Sequence, residues 1–162
     1  MTQQQTPLIT FYKGWDVYQQ HIIKAIAPLS DDQLALRAAP HLRSIGEIAT
    51  HIIGARARWF HGLMGEGGED IASLTTWDRQ GMPVRTADEL VAALQTSWQL
   101  VENCLTRWQI DDLEYTYTGS YGNEPYTLTR QWVLWHLIEH DLHHGGEISL
   151  TLGIYGLEAP DL

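Results

Sequence analysis

Four histidines fall within nine residues near the C-terminal end of the chain, in His136-Leu137-Ile138-Glu139-His140-Asp141-Leu142-His143-His144. Imidazole is both the side chain that titrates near neutrality and a borderline ligand for zinc, nickel, iron or copper. On an α-helix each residue turns about 100°, so positions four apart differ by about 40° and rise about 6 Å. His136, His140 and His144 therefore share one ridge, and two imidazoles at that spacing can converge on a single ion. His143 is rotated about 60° from His140 and faces another helix or solvent.

A catalytic metal usually takes three protein ligands and keeps a position open, so a third ligand must come from elsewhere. His51 is the best candidate, because it lies beside Ile48, Ile52 and Ala55 on the inward side of another helical stretch. The opposing reading is that these histidines are hydrogen-bonded core residues. Four in nine residues weigh against it, since each buried imidazole needs partners. Two other motifs compete. His140-Asp141-Leu142-His143-His144 echoes the H-E-x-x-H of zinc proteases, but its acid is one methylene shorter and no further ligand follows clearly. A di-iron centre needs Glu-x-x-His on two helices, and only Asp141-x-x-His144 faintly resembles it.

Four helical stretches must position these residues. The first spans about Leu8 to Ala27, with Phe11, Trp15, Tyr18, Ile22 and Ile26 at helical spacing, and Pro28 with Ser30-Asp31-Asp32 ends it. The second opens with the capping box Ser44-Ile45-Gly46-Glu47 and stops at Gly65-Glu66-Gly67-Gly68. A second capping box, Thr86-Ala87-Asp88-Glu89, begins the third, which continues to about Trp108. The fourth runs from about Leu128 to Leu152. Two connections are long: residues 66–85, with a short extra helix expected over 69–77, and residues 109–127, with a small hairpin expected near 114–127. Long connections are disproportionately functional, so both are expected to border a pocket. The fold class is all-α, a four-helix bundle, and residues 1–162 read as one domain.

Composition narrows the function. The 162 residues carry a net charge of −10 with no basic cluster, which argues against nucleic acid as a partner. Arg56 and Arg58 read as solvated helix charges, with contact to an anionic substrate as the alternative. No apolar run approaches a bilayer's thickness, the single cysteine cannot form an internal disulfide, and no signal peptide opens the sequence. The expectation is a cytoplasmic protein acting on a small-molecule substrate, without membrane contact. Cys104 reads as a small core residue, and the seven tryptophans as core filler. The apolar, aromatic surface also suits a homodimer.

The segments Ile48-Ala49-Thr50-His51-Ile52 and Trp135-His136-Leu137-Ile138-Glu139-His140-Asp141-Leu142-His143-His144-Gly145-Gly146-Glu147-Ile148 resemble the DinB-like family, including its YfiT-like members. The likeness covers nearly the whole chain. It implies a four-helix bundle whose metal ligands are the second-helix histidine and the first and last histidines of H-x-x-H-H, here His51, His140 and His144. His136 and His143 are then neighbours of the site. Family members often carry a basic residue and a glutamine where this chain has Gly145 and Glu147, and Glu147 is placed to orient a ligand. Asp141 and Glu47 are further carboxylates considered for the surroundings of the metal, although capping explains Glu47 more simply. By resemblance the function is that of a metal-dependent enzyme, a thiol S-transferase or hydrolase acting on a small electrophile. It would hold one divalent transition metal (zinc or nickel foremost, then iron or manganese) and use a low-molecular-weight thiol. The alternative is a non-catalytic stress-response bundle whose ion ties helices together. A closed four-ligand site, completed by His136 or Glu147, would favour that alternative.

Overall fold

The capping boxes read from the sequence are formed. In the computed structural model, which describes residues 6–160, Ser44 Oγ accepts from Glu47 N–H while the Glu47 carboxylate accepts from Ser44 N–H. Thr86 and Glu89 do the same. Each box satisfies two amide groups that a helix start otherwise leaves unpaired. The helices are α1 (Lys13–Ile26), α2 (Asp31–Leu34), α3 (Ile45–Ala57), α4 (Glu69–Ala72), α5 (Ala87–Arg107) and α6 (Arg130–Ile154). The four long ones, α1, α3, α5 and α6, make the bundle, with α3 against α5 and α6 and α1 against the same two.

Several boundaries differ from expectation. The first helix does not begin at Leu8: Leu8–Thr10 is a 3-10 turn, α1 starts at Lys13, and Phe11 is 63% exposed between them. Ser30-Asp31-Asp32 does more than end α1, because Ser30 and Gln33 form a capping box that opens α2. The extra helix over 69–77 is present as α4 followed by a 3-10 turn at Ser73–Thr76. Beyond Ala57, α3 widens into a π-helical stretch at Arg58–Leu63, a variant often found at functional sites.

The hairpin pairs β1 (Thr116–Tyr121) with β2 (Glu124–Thr129) in antiparallel register, from Thr116 opposite Thr129 to Tyr121 opposite Glu124. Gly122, at φ +59°, takes the first central turn position, where a side chain would be strained. β2 runs directly into α6, whose first turn is capped by Thr129 Oγ1. There Arg130 donates to Tyr117 Oη and Asp112 O and lies over the Trp108 ring, tying the hairpin to the bundle.

Two apolar clusters fill the bundle. One is built on Ile22, Ile48, Ile52, Leu90, Leu94 and Ile148, the other on Trp15, Phe60, Trp98, Val101, Val133 and Leu137. Along α6 they are separated by a polar stretch, His140, Asp141 and His144. The tryptophans divide: Trp15, Trp98 and Trp108 are core, but Trp132 and Trp135 are exposed, contrary to the reading of all seven as filler. Cys104 is buried in the core as expected. Among the described residues no helix is long and apolar enough to cross a membrane.

Candidate metal centre

His51 comes from the middle of α3, and His140 and His144 from the ridge of α6. Packing of α3 on α6 brings the three rings together, with centroids 4.8 Å apart for His51–His140, 4.8 Å for His51–His144 and 4.4 Å for His140–His144. Their candidate ligand atoms lie within 4.8 Å of one another. Gly145 lets α6 come this close to α1: a Cβ there would collide with the hydroxyl of Tyr18, which donates to Leu142 O.

Neighbouring carboxylates determine the tautomers. His51 Nδ1 lies 2.7 Å from Asp78 Oδ2, and His144 Nδ1 lies 2.6 Å from Glu147 Oε2. An ionised carboxylate only accepts, so each Nδ1 carries a proton, and in the neutral ring each Nε2 is left with a bare lone pair. His140 Nε2 sits 3.2 Å from His51 Nε2, while its Nδ1 is buried without a partner among the described residues. Burial is the leading cause that lowers all three pKa values, with His140 pushed down to about 3 by burial and by the adjacent imidazoles and Arg56. Hydrogen bonds to Asp78 and Glu147 oppose the fall at His51 and His144. Two carboxylate-backed rings present bare Nε2 atoms, and the His140 ring adds a third once its proton moves to Nδ1, so the three form a donor set that a divalent cation satisfies. The 3.2 Å nitrogen separation also matches the roughly 3.3 Å that two nitrogens about 2.0–2.1 Å from a tetrahedral zinc would have.

Asp78 is the residue that sequence reasoning missed. It follows the 3-10 turn in the long 66–85 connection, a segment expected to border a pocket, but nothing in its local pattern marks it. Arg58 holds it with two hydrogen bonds, 2.6 and 2.9 Å long, and also donates to Thr75 O. Burial pulls Asp78 upward, yet the bonds from Arg58 and His51 outweigh that and leave it below the usual carboxylate range. Gly54 makes the arrangement fit, since a Cβ there would lie 2.8 Å from Arg58 Nη1 and 2.9 Å from Asp78 Oδ1.

Glu147 does orient a histidine, as its position suggested. The other two carboxylates considered do not touch the cluster. Glu47 pairs with Arg37 at 2.7 Å besides capping α3. Asp141 turns into the core, where its Oδ2 accepts from Arg56 Nη2 at 2.7 Å and Trp15 Nε1 at 2.7 Å. Arg56 is thus no solvated charge: it is 1% exposed, because its partner stands opposite on α6. His143 is exposed; it groups with His144 and Glu147, but Glu147 is already committed to His144 Nδ1. His136 stands apart, 6.1 Å from the His140 ring, bonded to Glu139 and stacked on Trp132 with Trp59 alongside.

Comparison with solved structures gives the same architecture. A DinB-like protein from Bacillus cereus superposes with TM-score 0.74 at 22% identity, over 96% of this chain and 97% of that one. A conserved protein from Enterococcus faecalis gives TM-score 0.67 at 15% identity, over 91% and 99%. A DinB-like protein from Bacillus subtilis gives 0.64 at 16% identity, over 90% of each chain. At such identities the likeness is one of fold. No curated protein matches the sequence. The family profile of the DinB superfamily matches residues 11–148, which is most of the chain and contains all three clustered histidines. The chain belongs to the DinB superfamily.

Proposed function

We propose that the protein is a metal-dependent enzyme in which His51, His140 and His144 hold one divalent transition metal, zinc or nickel before iron or manganese. Its reaction is the attack of a low-molecular-weight thiol, or of water, on a small electrophile. The observation that carries this reading is the pair of carboxylate-backed imidazoles, His51 on Asp78 and His144 on Glu147, converging with His140. When bound, the ion supplies Lewis acidity, lowering the pKa of a thiol or water so that its deprotonated form is present near neutral pH.

The chain's own residues do the rest. Asp78 and Glu147 keep Nδ1 of their histidines protonated and the rings turned inward. Arg58 keeps Asp78 ionised and in place. Trp132 stacked on His136, with Trp59 set tilted and edge-on against them, forms an aromatic wall beside His140, a surface for the apolar part of a substrate. A purely structural ion would call for a fourth protein ligand. The two residues considered for that role are engaged elsewhere, Glu147 by His144 and His136 by Glu139.

The test is metal content per chain by elemental analysis, on untagged protein never exposed to chelator, for wild type and His140→Ala. About one metal per wild-type chain, lost in the variant, is the expected result. It would be followed by assays of thiols against small electrophiles. A wild-type protein that is metal-free and also fails to take up added divalent ions overturns the proposal.

A further inference from the structure

The cavity beyond Asp78 has a composition that the histidine cluster does not explain. Its volume is about 580 Å³, and Thr50 and Asp78 in its wall make it adjoin the cluster. Arg37, Arg43, Arg79 and Arg85 line it. They are four of only ten basic residues in a chain of net charge −10. Like charges gathered in one concavity repel unless something answers them. The carboxylates in the wall are already committed, Glu47 to Arg37 and Asp78 to Arg58 and His51. The Arg43 and Arg79 side chains, both on exposed residues at the cavity rim, have no hydrogen-bond or ion-pair partner among the described residues. Arg85 stacks its guanidinium 4.2 Å from the Trp77 ring centre and reaches Glu89 at 3.3 Å, but its Nε is buried without a partner among the described residues.

The same cavity carries apolar surface without a covering. Leu42 is 45% exposed, Met82 39% and Val84 89%. An apolar flank beside unanswered guanidinium groups matches a ligand with two unlike ends. Arginine presents a planar fork of donors that suits carboxylate and phosphate oxygens alike, and stacking on an aromatic ring holds that fork in place.

We infer that this cavity binds the oxyanion group, carboxylate or phosphate, of a small organic molecule whose apolar body lies against Leu42, Met82 and Val84. The inference stands on the cavity and holds whether or not the histidines carry a metal. If the enzymatic reading is right, the site is placed to hold one end of the thiol or the electrophile.

The test is an NMR titration of the ¹⁵N-labelled full chain, both chelator-stripped and zinc-loaded, with 4-phenylbutyrate, hexyl phosphate and the neutral hexanol. Metal content is measured on the same samples, so a failure of the metal reading is seen separately. At least one anion should give saturable shifts of the Trp77 indole N–H and of amides in 41–47 and 77–85, weakened by added salt. Hexanol should not reproduce them. The double variant R43Q/R79Q should bind about tenfold more weakly or worse with its melting temperature unchanged, whereas Arg107→Gln, on its Glu66 pair elsewhere, should bind as wild type. The stronger of the two anions identifies the carboxylate or phosphate source. The inference is overturned if neither anion gives a saturable shift at millimolar concentration. It is equally overturned if hexanol shifts the same resonances as far, or if R43Q/R79Q titrates like wild type.

Discussion

Replacing Asp78 with alanine removes two things at once: the acceptor for His51 Nδ1–H at 2.7 Å and the counter-charge of Arg58. Loss of a carboxylate behind a ligating histidine typically weakens metal binding ten- to hundredfold, about 1.4–2.7 kcal/mol. Here the loss should fall toward the upper end. Besides burial, the charges of Arg43 and then Arg58 already disfavour positive charge at His51, and Asp78 offsets them. The double variant D78A/R58M should therefore bind metal more tightly than D78A alone, although it has lost one more native interaction. Asp78→Asn keeps an oxygen for His51 but no charge for Arg58, and should lie between D78A and wild type. Competition with a chromophoric chelator near neutral pH measures all four affinities, with thermal melts as the check on folding. An affinity for D78A within about twofold of wild type would refute the argument that Asp78 serves the metal ligand. A D78A/R58M variant as weak as D78A would refute the charge argument.

Further outcomes follow from other contacts. Asp141→Asn strands the buried Arg56 guanidinium without a counter-charge, so unfolding in denaturant should show a loss of about 3–5 kcal/mol. A fully apolar replacement of both residues should recover much of that, and a loss below about 1 kcal/mol for the single variant would contradict the pairing. Gly145→Ala should destabilise by about 1–3 kcal/mol, because its methyl displaces the Tyr18 hydroxyl. Gly146→Ala, with none of the described residues within 4 Å of its Cβ, should stabilise by up to about 1 kcal/mol, and equal melting temperatures for the two variants would sink the comparison. Burial pushes the Cys104 thiol up to about 12, so it stays protonated in mildly alkaline buffer. Iodoacetamide should label it slowly in the native chain and quickly after denaturation; equal rates would show the site is open.

Much of this architecture was legible because its signals are local. A capping box spans four residues, so Ser44–Glu47 and Thr86–Glu89 could be read directly, and both are formed. The α6 histidines share a ridge by helical repeat alone, and their meeting with His51 needed only the inward side of α3 to be known. The features that escaped depend on partners far apart in the chain. Arg56 looks solvated until Asp141, 85 residues away, is placed against it. Asp78 is an ordinary loop acid until the π-helical turn carries Arg58 to it and Gly54 makes room. Trp132 and Trp135 lie on a helix with apolar residues all around it, and periodicity could not separate its outer tryptophans from its inner ones.

The seat that Gly54 provides for Asp78 has a consequence for motion. Residues 79–85 have no regular helix or strand; the turn before them is packed on the first apolar cluster by Ile71, Leu74 and Trp77, and Arg58 adds polar ties through Thr75 O and the Asp78 carboxylate. Opening confined to Asp78 and the residues after it breaks a few polar contacts and leaves Ile71 and Leu74 in their cluster, so it costs less than unfolding the bundle. In the opened form His51 keeps its place on α3 but loses the acceptor that fixes its tautomer. Backbone amides from 79 to 85 should therefore exchange with solvent deuterium well before those of α3 and α6. The fraction of time that segment is closed sets how often the histidine cluster is complete.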